Sequence, residues 1–125
     1  MMVFLVAAAS AGANETCGEK FCLPAEAKLQ SKQTPVHDFN LYRVEWRGDH
    51  FTIYEGNHPD DGAEASKTPL SLPLDRSATL RLREGRGSVL LKIGEEWPAY
   101  LDVMGPCASK TVCPAAVFAG KLRRR

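Results

Sequence analysis

No stretch of this sequence is apolar for long enough to cross a membrane as a helix. The longest apolar run, Met1–Ala9, covers nine residues, and a span takes about 20. A transmembrane segment is therefore excluded from the mature chain. Charge of one sign is missing as well: 16 Lys and Arg stand against 15 Asp and Glu, a formal net charge of +1. With no global basic field, nucleic acid is not an expected partner. The glycine signatures of nucleotide binding are absent, since no G-x-G-x-x-G opens a helix and no Walker sequence occurs. Neither a G-x-S-x-G elbow nor an H-E-x-x-H pair is found, so acyl transfer and zinc-protease chemistry lack their usual marks. No catalytic residue, metal ligand or cofactor is assigned.

What remains is a globular composition, with 44% hydrophobic and 25% charged residues over 125 positions. That length suits one small domain. The N-terminus has the form of a secretory leader. Val3–Ala9 is the apolar region, and Ala11 and Ala13 give the small-x-small pattern before a cut. We expect a signal peptide over 1–13, cleavage after Ala13, and a mature domain over 14–125 in the periplasm or medium. No Lys or Arg precedes the apolar run, so the start codon itself is open to question.

Four cysteines, Cys17, Cys22, Cys107 and Cys113, fall as two close couples near the two ends of the mature chain. In a short exported chain an even number reads as disulfides. Three connectivities are open. The short polar stretch inside each couple favours local pairs, without excluding cross pairing. Zinc is a weaker alternative, because the spacing lies at or beyond the usual range for a thiolate site.

Leu41–Glu55 carries the clearest structural signal. Two alternating runs flank Gly48-Asp49, which predicts a β-hairpin with Trp46 facing Phe51, Val44 facing Ile53 and Tyr42 facing Glu55. A second hairpin over 78–93 turns at Glu84–Gly87, with Arg83 opposite Ser88, Leu82 opposite Val89 and Leu80 opposite Leu91. A third strand over 97–104 completes a meander. Residues 27–33 alternate as a strand. Residues 56–68 form a long polar loop, and Leu70, Leu72 and Leu74 alternate with Ser71 and Pro73 as an edge strand. Pro114 and Gly120 bracket a single helical segment, and Lys121–Arg125 reads as a solvated tail. Core strands thus run over about 41–104. Two apolar faces that must bury each other predict a mainly β fold, a small antiparallel sandwich or partly closed barrel built from hairpins and a meander, with disulfide-linked terminal segments.

Alternation places Arg43, Tyr54, Arg81, Arg83 and Lys92 on outward faces. If contiguous, they would make a basic patch with an aromatic in it, suited to an acidic ligand or protein partner. The plainer alternative is that charged outward positions discourage edge-to-edge association. All three histidines, His37, His50 and His58, have a carboxylate next to or near them in sequence. A small hydrolytic or metal-dependent enzyme built on them requires at least two to converge in one pocket. Arg47-Gly48-Asp49 spells an adhesive tripeptide, but Gly-Asp is also what a tight turn requires. The function best matched to these features is an exported binding or inhibitor-like module without catalytic chemistry.

Overall fold

A seven-stranded antiparallel sheet forms the body of the molecule in the computed structural model, which describes residues 15–34 and 38–125. The expected leader over 1–13 and His37 lie outside the described residues. The strands are β1 (Phe21–Cys22), β2 (Lys28–Gln33), β3 (Phe39–Trp46), β4 (Asp49–Gly56), β5 (Ser66–Leu70), β6 (Ala78–Arg83), β7 (Arg86–Lys92), β8 (Tyr100–Pro106) and β9 (Arg123–Arg124). One helix, α1 (Pro114–Ala119), lies between β8 and β9. The large sheet runs β2-β3-β4-β8-β7-β6-β5 and is not closed into a barrel, while β1 and β9 pair as a second, small sheet. The expected hairpin and meander are both present. They meet edge to edge where β4 pairs with β8, so their apolar faces form one continuous floor.

Both hairpins keep their predicted faces but shift their partners by two residues. Trp46 faces Asp49 and Val44 faces Phe51; Leu80 faces Val89 and Arg81 faces Ser88. The physical reason lies in the turns. In the first, Arg47 and Gly48 have φ of 51° and 83°, the two positive values that a type I′ turn needs. Glycine therefore takes the second central position, not the first. Gly85, with φ 68°, likewise ends the two-residue turn of the second hairpin.

The floor is apolar by alternation: Val44, Ile53, Leu80, Val89, Leu91, Leu101 and Val103 are all fully buried. A six-residue helix cannot hold itself together in water, and α1 is fixed by what covers that floor. Phe118 stacks on Phe51 with centroids 4.3 Å apart and tilts against Trp46 at 5.4 Å. Pro114 occupies the first turn and Gly120 the C-cap, as expected. The Cys107–Cys113 disulfide links the end of β8 to the start of α1, and Cys17–Cys22 closes the loop before β1. Local pairing is thus the observed connectivity.

Several element boundaries differ from the sequence reading. β8 begins at Tyr100, after the Trp97-Pro98 cis peptide. Trp97 turns outward and donates its indole N–H to the Asp38 carbonyl at 2.9 Å. The edge strand is Ser66–Leu70, which starts within the expected loop and ends at the first residue of the expected strand, and Leu74 beyond it drops into the core. The C-terminal tail is not free in solvent. Leu122 is buried, β9 pairs with β1, and the Arg125 side chain donates to the Gly18 carbonyl at 2.7 Å.

Candidate functional site

Strand register fixes which side chains share the face of the sheet opposite the core. One row crosses all seven strands: Lys67, Arg81, Ser88, Met104, Thr52, Arg43 and Ser31. The next carries Thr79, Leu90, Asp102, Tyr54 and Leu41. The five candidate residues therefore do lie on one outward face. They are spread across it rather than clustered. Three strands separate Arg43 from Arg81 along their row, a gap of roughly 19 Å at the usual strand spacing. Lys92 pairs with Glu95 at 3.3 Å, and Tyr54 stacks on Phe39.

Arg81 departs most from expectation, since only 3% of it is exposed and its guanidinium is not presented to a partner. Its Nη2 donates to Asp102 Oδ2 at 2.6 Å and its Nε to Ser88 Oγ at 3.1 Å. Its Nη1 donates to the backbone carbonyl of Asp60. That last contact explains the burial: the long loop over 57–65 folds back onto the outward face and roofs the ion pair. The loop is tied down again where the His58 N–H donates to the Tyr54 hydroxyl at 2.7 Å and the Ala99 N–H to Asn57 Oδ1 at 3.0 Å. Gly62 permits the close approach. It has φ 64°, and a Cβ there would stand 2.7 Å from Arg81 Cδ. Alternation correctly sends Arg81 outward. Only the outward Asp102 and the glycine in the loop hint that something would cover it.

Asp102 is buried with its partner, with 4% of its side chain exposed. Burial pushes its carboxyl above the ordinary value, and the Arg81 guanidinium opposes that shift. Its second oxygen, Oδ1, is buried without a hydrogen-bond partner among the described residues. Such an atom is costly to leave unpaired.

Asp102 also lines a cavity of about 240 Å³ between the loop and the far end of the β6–β7 hairpin. Ser88 and Met104 line it too, and Arg83 and Arg86 stand on its exposed side. Those two arginines are direct cross-strand partners. Arg83 reaches Asp60 Oδ2 at 3.4 Å, whereas Arg86 makes no ion pair among the described residues. Like charges placed opposite each other on a sheet destabilise it; Asp60 offsets part of this at Arg83 and Glu84 also lines the cavity, which leaves Arg86 as the guanidinium open to an anion.

The histidine constellation is not assembled from the described residues. His50 and His58 stand at opposite ends of β4, both exposed, with His50 Nδ1 3.1 Å from Gln30 Oε1. Glu15 lies close to Cys17 and Cys22, but those sulfurs are bonded to each other and are not thiolate ligands. In the acidic loop, Asp60 and Asp61 accept from the backbone N–H groups of Gly62 and Ala63. At the β3–β4 tip, Arg47 lies over the Trp46 ring at 4.1 Å and 3.7 Å from Glu26.

Compared with protein families, curated proteins and solved structures, the chain matches none.

Proposed function

We propose that this protein is an exported binding module that takes an acidic ligand or protein partner on the outward face of its sheet. The observation that carries this reading is the cross-strand pair Arg83 and Arg86 beside a cavity. Their guanidiniums are exposed, forked donors suited to carboxylates or phosphates. Behind them Arg81 ties Ser88 of β7, the buried Asp102 of β8 and the roofing loop at Asp60 together. Preorganisation of this kind lowers the entropy lost on binding.

Export is supported by two disulfides, which persist in oxidising compartments. The small-x-small pattern at Ala11 and Ala13 agrees. Among the described residues no helix is long and apolar enough to cross a membrane.

Two measurements test the two halves. The intact mass of the protein from its native host should match a chain starting at Asn14 with both disulfides formed; a mass retaining Met1 with free thiols would overturn export. For binding, a hexaglutamate peptide titrated into ¹⁵N-labelled protein should shift amides of the β6–β7 hairpin, more weakly at higher salt. The Arg83→Glu/Arg86→Glu variant should bind at least tenfold more weakly. Equal binding by both proteins, or none by either, would sink the acidic-partner reading.

A further inference from the structure

We propose that the cavity beneath the roofing loop takes a small oxyanion that also carries a hydroxyl group, such as a single sugar acid. This rests on the binding reading above and names the ligand class for that site. Three features of the cavity define the chemistry. At its open side stand Arg83 and Arg86, whose guanidiniums can hold one carboxylate or phosphate between them. Deeper in stands Asp102, whose buried Oδ1 has no partner among the described residues and calls for a donor. Between them Ser88 Oγ accepts from Arg81 Nε, leaving its own hydrogen for a ligand oxygen.

The donor is best a neutral hydroxyl. An ammonium at Asp102 would stand against the Arg81 guanidinium already paired with that carboxylate, and like charges at that range repel in a partly dry site; the Asp60 and Glu84 carboxylates also line the cavity, which leaves the two outer arginines as the anion end. Size points the same way. The Arg83–Arg86 row lies two rows from Asp102, roughly 13 Å along the strands, a span that arginine side chains reaching back over the sheet can partly close. At about 240 Å³ the cavity lies below the usual range of drug-sized pockets, roughly 300–1,000 Å³. A monosaccharide acid fits this description, and a longer chain would have to leave through the open side.

The test is an amide-shift titration of the full disulfide-bonded protein with D-glucuronate, D-glucose and acetate. Glucuronate should give saturable shifts at Gly87, Ser88 and Met104, with an affinity at least tenfold above either single-function probe. Arg86→Gln, a change at an exposed side chain, should lower glucuronate affinity at least fivefold without lowering the unfolding temperature, since it also removes a like-charge cross-strand pair. Ser88→Ala should weaken glucuronate without affecting acetate. Glucuronate binding no better than acetate would overturn the hydroxyl half of the proposal. Absence of saturable shifts with all three probes would overturn the site. If hexaglutamate still binds the hairpin in that case, the module reading stands and only the cavity assignment falls; if it too fails, both fall.

Discussion

The Tyr42 hydroxyl donates to Glu55 Oε1 across 2.6 Å inside the core. Glu55 is fully buried, and its carboxylate accepts three more hydrogen bonds, from Asn40 Nδ2 and from the backbone N–H groups of Glu19 and Lys20. A single carboxylate thereby fastens the Cys17–Cys22 loop onto the large sheet. Burial, and secondly the neighbouring Glu55, push the Tyr42 phenol above its ordinary value of 10.0.

Removing the two partners should therefore have unequal effects. Tyr42→Phe leaves Glu55 with three donors and should cost about 1–2 kcal/mol. Glu55→Ala strands four donors at once and should cost at least about 3 kcal/mol. Urea unfolding at neutral pH measures both. The phenol adds a signature at high pH. Its raised folded value means that stability is full below the ordinary value and falls as pH rises beyond it. Wild type should lose stability above pH 10.0 more steeply than Tyr42→Phe.

Asp102 gives the corresponding signature on the acid side. Its folded value is raised above the ordinary 3.8, so the folded protein holds this proton more tightly than the unfolded chain. Its contribution to stability is full below 3.8 and is lost as pH climbs through the raised value. Across that window wild type should lose stability relative to Asp102→Asn. Arg81→Met removes the opposing guanidinium and should extend the loss to higher pH. At neutral pH it should also cost about 3–5 kcal/mol, because it leaves a buried carboxylate unpaired. Denaturant midpoints over a pH series read out all three proteins.

Two turn glycines should respond differently to alanine. Gly48 has φ 83° and open space around a Cβ, so Gly48→Ala should cost only left-handed strain, about 1–2 kcal/mol. Gly62 has φ 64° and faces Arg81 Cδ at 2.7 Å, and Arg81 is held by three hydrogen bonds. Gly62→Ala should cost about 1–3 kcal/mol beyond the strain. It should also raise protease cleavage within 57–65, a change that Gly48→Ala should not produce.

Replacing Cys107 and Cys113 together by alanine should cost about 2 kcal/mol, the chain-entropy value for so short a loop. Because the bridge anchors α1 over the floor, the Phe118–Phe51–Trp46 cluster should loosen. A reduced near-ultraviolet circular dichroism signal with little change in the far ultraviolet is the expected result.

What was legible in the sequence follows from what alternation can and cannot encode. It separates inward from outward residues, so Val44, Ile53, Leu80 and Leu91 were correctly sent to the core. It is blind to a two-residue slip, which keeps every face and changes every partner. Both hairpins slipped in that way, because a glycine next to a turn does not declare which central position it fills. The roofing loop was illegible for another reason. Its hold on the sheet uses backbone groups of Asp60 and His58, which no side-chain pattern records. Arg81 consequently looked like one more exposed basic residue. The tail misled in the same manner, since β9 pairs through its backbone while its arginines stay exposed.

The β1–β9 pairing also sets an order of events. Phe21 faces Arg124, Cys22 faces Arg123, and the Arg123 side chain donates to the Leu23 carbonyl from 100 residues away. The first strand of the described fold thus waits for residues about 100 positions further along the chain. A nascent chain halted short of Leu122 would keep Phe21 and its loop without their cover, open to proteases and chaperones. β1 cannot take its native place until β9 is available to pair with it, so the start of the described fold stays open while the chain between them forms.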